Sequence, residues 1–246
     1  MFPSNLISTE SDAPFAAERF KMLFDLIRTG DMMQVLIGLM ASVFVVFCTM
    51  PIHEYAHALI ATKLGDPTPE RTGRLTLNPL AHIDPIGAAM ILLVGFGYAK
   101  PVRVSVRNFK NPKLGMALTA LAGPVSNLIM AFLFLLLRNG AVLAMMNSPQ
   151  IVWQVSASFF DFAAKINIGL AVFNLLPVPP LDGSKILSVV IPSKYYFKYL
   201  QYERYIILAV FALLIFNILD IPLSFLTNVV YRLLSKIAGL PFSLIG

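Results

Sequence analysis

The chain has 246 residues, 57% of them hydrophobic and 13% charged. Soluble domains run at roughly 45–50% apolar and about 25% charged, so this composition excludes a disordered chain and points to a bilayer rather than to a soluble globular domain. The net charge of +6 comes from 19 basic and 13 acidic residues; in so apolar a chain that excess belongs to cytoplasmic loops, and no nucleic-acid partner is expected.

Residues 1–31 are polar and mildly acidic, with no removable signal peptide. Within them FAAERFKMLFDLI has apolar residues at helical spacing, which predicts a short interfacial helix. Residues 32–246 read as a single membrane domain. Residues 32–52 carry no charge and are long enough to span. Pro51, near their end, frees a backbone carbonyl and predicts a kink. Cys48 is the only cysteine, so neither an intrachain disulfide nor a Cys-rich zinc site can form.

The segment 65–113 carries seven basic residues, among them Arg103, Arg107 and Lys110, against three acidic ones. It is therefore expected in the cytoplasm, with the N-terminus outside. Inside it, the uncharged stretch 85–99 is too short to cross and is broken by Gly95, Gly97 and Pro101. It reads as a re-entrant or interfacial segment. Residues 100–113 mix charge with Val and Phe, as an edge strand able to pair with an extended substrate does, or as a solvated surface loop.

A second span covers 114–137, where Gly123, Pro124 and Asn127 interrupt the apolar run. Small residues there let helices approach closely; Asn127 either bonds across helices or toward the site, or packs, and packing is the favoured reading. Asn147-Ser148-Pro149 marks a turn. A third span covers about 151–176, with Asp161 and Lys165 as an i,i+4 pair. Residues 205–219 form a shorter fourth apolar run, and 222–234 form either a further span or an interfacial helix. The expected fold is all-α: a polytopic membrane bundle of about four to six transmembrane helices with an irregular, re-entrant cytoplasmic loop.

Two constellations carry chemistry. The first is His53-Glu54-Tyr55-Ala56-His57. On a helix, HExxH puts two imidazoles one turn apart on one face, where they can hold one zinc ion. The glutamate beside them can take a proton from a water on that metal. Such groups at the end of an uncharged span are expensive and mark function. The second is NLLPVPPLDG, where Pro177, Pro179 and Pro180 stop a helix before Asp182 and Gly183. A catalytic zinc needs a third protein ligand and one open position. Asp182 suits that role, and it equally suits the N-cap of a following helix. Asp161 and Asp220 fall on the opposite side by this topology. His82 and Asp84, in NPLAHIDPIG, either form a turn or support the metal site and the substrate path.

HEYAH in an apolar run, with the Asp182 motif 125 residues after His57, resembles the site-2 protease family (peptidase M50) of intramembrane zinc metalloproteases. GRLTLNPLAHIDPIG and AKPVRVSVRNFKNPKLGMALTALAGPVSN resemble its compact bacterial and archaeal branch, and the likeness covers about residues 44–187. The resemblance implies one zinc ion per chain, bound by His53, His57 and Asp182, with Glu54 as general base. It implies that Asn174 lies beside the metal, where its amide would help hold the substrate or the developing oxyanion. The implied activity is that of a zinc metalloendopeptidase cutting within or next to transmembrane segments of membrane protein substrates. The implied place is a bacterial plasma membrane, with the site toward the cytoplasm. No PDZ insertion or CBS-type domain is visible, and nothing indicates an oligomeric state. A zinc-bound chaperone would not need Glu54, and a metal transporter would spread its polar residues along a route instead of clustering them near one face.

Overall fold

The computed structural model describes residues 32–87, 100–216 and 218–243. Among them regular structure is helical, with no strand. The first helix, α1, runs Met32–Lys63 and contains a π-helical turn at Val45–Thr49. Short helices α2 (Thr68–Arg71) and α3 (Pro79–His82) follow. Then come α4 (Pro112–Asn147), α5 (Ile151–Asn174), α6 (Asp182–Val190), α7 (Ser193–Gln201), α8 (Glu203–Ile215) and α9 (Asp220–Ser243).

Three of these helices, α1, α4 and α5, are long and apolar enough to cross a membrane. They match the three spans expected at 32–52, 114–137 and about 151–176, though α1 and α4 run further than the first two. Helix α4 continues past Arg138, because that guanidinium is paired with Asp161 of α5 at 3.1 Å. Helix α8 has 13 residues, about 20 Å at 1.5 Å per residue, and falls short of a hydrocarbon core of about 30 Å. Helix α9 is longer, at 24 residues, but carries Arg232 and Lys236. The expected N-terminal interfacial helix and residues 88–99 of the expected re-entrant segment lie outside the described residues.

Local chemistry sets the helix ends. Asn111 caps α4, its Oδ1 accepting from the Leu114 amide at 3.2 Å, with Pro112 at the first helical position. The short turn at 148–150 folds α5 back against α4, forming an antiparallel pair. Helix α1 divides into two faces. Met32, Leu36, Leu39, Met40, Val43 and Phe47 are exposed, as lipid-facing residues would be. Ile37, Ala41, Val45, Thr49, His53, His57 and Ala61 form a buried row of every fourth residue. An α-helix advances about 100° per residue, so such a row drifts around the axis. The wider π turn just before Pro51 takes back part of that drift. The row that packs as core in the first half of α1 thereby becomes the face that carries His53 and His57 in the second half. The kink expected at Pro51 takes the form of this π turn.

The core lies where α1, α4, α5 and α9 meet. Ala41, Ala131, Ala163, Ala164 and Ala238 bring the backbones close, and Phe134, Leu135, Ile168 and Leu223 fill the space between them. In lipid, close packing of this kind replaces the hydrophobic drive that water would supply. The Phe44 ring meets Phe134 and Phe159 edge-on, at centroid distances of 5.9 and 5.5 Å.

Residues 100–105 have no regular secondary structure. Two of their amides are tied to the preceding loop. The Ser105 amide donates to the Asp66 carboxylate at 2.6 Å and the Lys100 amide to the His82 carbonyl at 2.8 Å. Of the two readings of 100–113, edge strand or surface loop, the loop is the one seen, and it is tied down through Asp66 and His82.

Candidate metal centre

His53 and His57 project from one face of α1, as the HExxH spacing requires, and both are buried. Their Nε2 atoms stand 3.0 Å apart. Asp182 reaches them from the first turn of α6, its Oδ2 lying 3.1 Å from His57 Nε2 and 3.5 Å from His53 Nε2. The two readings left open for Asp182 separate here. Leu181, not Asp182, holds the cap position of α6, and the Asp182 carboxylate makes no capping bond. The three prolines and the tight turn deliver it to the imidazoles instead. Gly183 makes that approach possible, since a Cβ there would collide with the Leu175 and Leu176 carbonyl oxygens at the end of α5.

The donor set fits zinc. Tetrahedral ligands about 2.0–2.1 Å from zinc lie about 3.3 Å from one another, and the observed separations of 3.0, 3.1 and 3.5 Å bracket that value. His57 is held in the tautomer a metal needs. Its Nδ1 lies 2.7 Å from the Thr119 carbonyl oxygen of α4, which can only accept. Nδ1 therefore carries the proton, and Nε2 offers its lone pair. Lys185 holds the other oxygen of Asp182, Oδ1, at 2.9 Å, which leaves Oδ2 for the imidazoles.

Helix α4 supplies the floor. Both Nε2 atoms sit over Gly123, where an added Cβ would lie 2.5 Å from His53 Nε2 and closer still to His57 Nε2. The small residue is required by the imidazoles themselves, as well as by the helix contact expected from the sequence. Among the described residues no other cluster of His, Cys, Asp and Glu gathers like this one.

A cavity of about 630 Å³ opens on the three donors. Glu54 and Asn174 line it, with Val102 and Val104 of the 100–105 loop as one wall. Asn174 Nδ2 donates to the Leu170 carbonyl of its own helix at 3.0 Å. Asn127, for which the sequence left packing and a position toward the site as alternatives, lines the cavity as well. His82 and Asp84 do not. His82 is buried in the loop, its Nε2 at 2.7 Å from the Thr76 carbonyl oxygen. Asp84 caps a turn, accepting from the Ile86 and Gly87 amides at 3.0 and 3.1 Å. Asp161 lies apart, bound by Lys165, Arg138 and the Tyr231 hydroxyl.

The family model of "Peptidase family M50" matches residues 138–217, a stretch that includes Asn174 and Asp182. The Bacillus subtilis (strain 168) protein named "Putative zinc metalloprotease YwhC" is 43% identical over 167 residues, which cover 66% of this chain and 74% of that protein. The chain belongs to peptidase family M50. In Mycolicibacterium smegmatis, "Putative zinc metalloprotease Rip2" is 32% identical over 137 residues, 54% of this chain and 50% of that protein. In Methanocaldococcus jannaschii, "Putative zinc metalloprotease MJ0611" is 31% identical over 137 residues, 55% of this chain and 63% of that protein. This M50 chain therefore spans half the length of the Rip2 relative. No solved structure matches it. The names of its relatives and its own three-donor cluster agree on a zinc metallopeptidase in a protein with membrane-crossing helices.

Proposed function

We propose that the protein is an intramembrane zinc metalloendopeptidase, hydrolysing a peptide bond within or next to a transmembrane segment of another membrane protein. The observation that supports this most strongly is the juxtaposition of His53, His57 and Asp182 with Glu54 on one cavity inside a bundle of apolar helices. One zinc ion per chain, held by those three residues, would polarise the scissile carbonyl and make a water acidic enough to react near neutral pH. Glu54 takes the proton from the attacking water and returns it to the leaving amine. Thr119 and Lys185 hold His57 and Asp182 in their binding orientations. Asn174 helps hold the substrate. An intact substrate helix hides its peptide bonds, so the reacting segment must unwind. Val102 and Val104 border the space an unwound chain would enter. The lipid bilayer would be a partner throughout, and the basic loops support a multi-pass chain in a bacterial plasma membrane with its site toward the cytoplasmic face.

Glu54→Gln tests the reading. The variant should keep its zinc, measured by elemental mass spectrometry, and lose cleavage of a co-reconstituted single-span substrate. Continued cleavage would overturn the mechanism. Asp182→Ala should lose zinc, and unchanged metal content would remove Asp182 from the ligand set.

A further inference from the structure

We propose that the side-chain amide of Asn127 binds the backbone of the substrate beside the metal centre, an inference that rests on the zinc-protease reading above. Thr119, Gly123 and Asn127 are spaced i, i+4, i+8 on α4 and share one face. The first holds His57 through its carbonyl, and the second leaves room for both imidazoles. A helical side chain leans toward the N-terminus of its helix, over the preceding turn. The Asn127 amide therefore leans over Gly123, on which the ligand nitrogens rest.

Asn127 is 1% exposed, and its Oδ1 has no hydrogen-bond partner. Leaving a buried amide unpaired is costly, and a bilayer has no water to compensate it. The neighbouring helix treats its asparagines differently. Asn174 and Asn167 each donate Nδ2 to a carbonyl of their own α5, at 3.0 and 2.8 Å. Asn127 lines the same cavity as Glu54 and Asp182 with its Oδ1 unpaired. An unwound peptide brings one N–H and one C=O per residue into that cavity, and a carboxamide offers the matching acceptor and donor.

The test uses the full zinc-loaded chain in detergent with two probes. Acetohydroxamate binds the metal alone, and a dipeptidyl hydroxamate adds peptide groups. In Asn127→Leu, zinc content and acetohydroxamate affinity should stay within about twofold of the unmodified protein, while dipeptidyl hydroxamate affinity falls about tenfold. The melting temperature should hold or rise, because an unpartnered buried polar group is replaced by an apolar one. Unchanged dipeptidyl hydroxamate affinity would overturn the contact. Loss of zinc or of acetohydroxamate binding along with it would overturn it too, showing that Asn127 builds the metal site. If the leucine variant does not fold, Asn127→Ser should show the same pattern. Absence of zinc or acetohydroxamate binding in the unmodified protein would instead sink the zinc reading, and this contact with it.

Discussion

An alanine at position 123 would put a Cβ 2.5 Å from His53 Nε2 and in collision with His57 Nε2. Ordinary van der Waals contact begins at 3.4 Å, so about 0.9 Å must be found somewhere. The imidazoles cannot easily provide it. Both are buried, and His57 is pinned by its 2.7 Å bond to the Thr119 carbonyl of the same helix that would carry the new methyl. Either α1 moves away from α4, or the rings rotate and the Thr119 bond breaks. Overpacking of this kind costs about 1–3 kcal/mol of stability. Functional constellations tolerate about 0.5 Å of displacement, and loss of a ligand-orienting bond weakens metal binding roughly 10–100-fold. Gly123→Ala should therefore lower the melting temperature and weaken zinc at least about tenfold in a chelator competition. Gly239→Ala is the control. It lies in α9 with nothing within 4 Å of its added Cβ, and should stabilise by about 0.5–1 kcal/mol without touching zinc. Zinc affinity in Gly123→Ala equal to that of the unmodified chain would refute the idea that α4 forms the floor of the metal centre.

Tyr231→Phe removes the hydroxyl that donates to Asp161 Oδ1 at 2.5 Å, and should cost about 1.5–3 kcal/mol of thermal stability while leaving zinc content intact. Asp161→Asn should cost more, because it leaves the largely buried Arg138 without its anion; both effects can be read as melting temperatures in detergent. Asp66 lies in the loop after α1. Burial raises its pKa, but bonds from Thr68, Asn108 and the Ser105 amide outweigh this and hold it below the usual carboxylate value. A group whose folded pKa is depressed stabilises the fold above its unfolded pKa of about 3.9 and loses that contribution as pH falls through the folded value. Melting temperatures taken from about pH 5 downward should show an acid loss that Asp66→Asn flattens, and parallel curves for the two proteins would count against it.

What the sequence revealed was local. HEYAH needs only helical spacing to bring its two imidazoles together, and the prolines before Asp182 announce an unwound turn wherever that turn is placed. What it concealed depends on helices far apart in the chain. Gly123 reads as a packing residue until the imidazoles of α1 are seated on it. That the Asp182 carboxylate meets the two imidazoles depends on the arrival of α6 beside α1, which no spacing within the Asp182 motif contains. Residues 100–105 have strand-like composition, yet the Asp66 carboxylate takes an amide that a ladder would have used. Asp161 and Lys165 were visible as a pair because they are four residues apart; Arg138 and Tyr231, which complete the group, lie on other helices.

Two polar islands stand in this apolar bundle, and the difference between them is informative. Around Asp161 the carboxylate meets two cations and a hydroxyl, with Lys165 also lying 5.5 Å over the Tyr231 ring. The anion's hydrogen-bonding capacity is spent on the fold, tying α9 to α4 and α5. Around Gly123 the polar groups are left open: His53 Nδ1, Thr119 Oγ1 and Asn127 Oδ1 are buried without partners. An unsatisfied buried group costs about 1–3 kcal/mol, and here three of them belong to residues that line one cavity. Unpaired buried atoms occur elsewhere, as at Asn167 Oδ1, but Asn167 bonds its own helix through Nδ2. His53, Thr119 and Asn127 all line the cavity that Glu54 and Asp182 line, so the stability cost falls where a bound ligand would recover part of it.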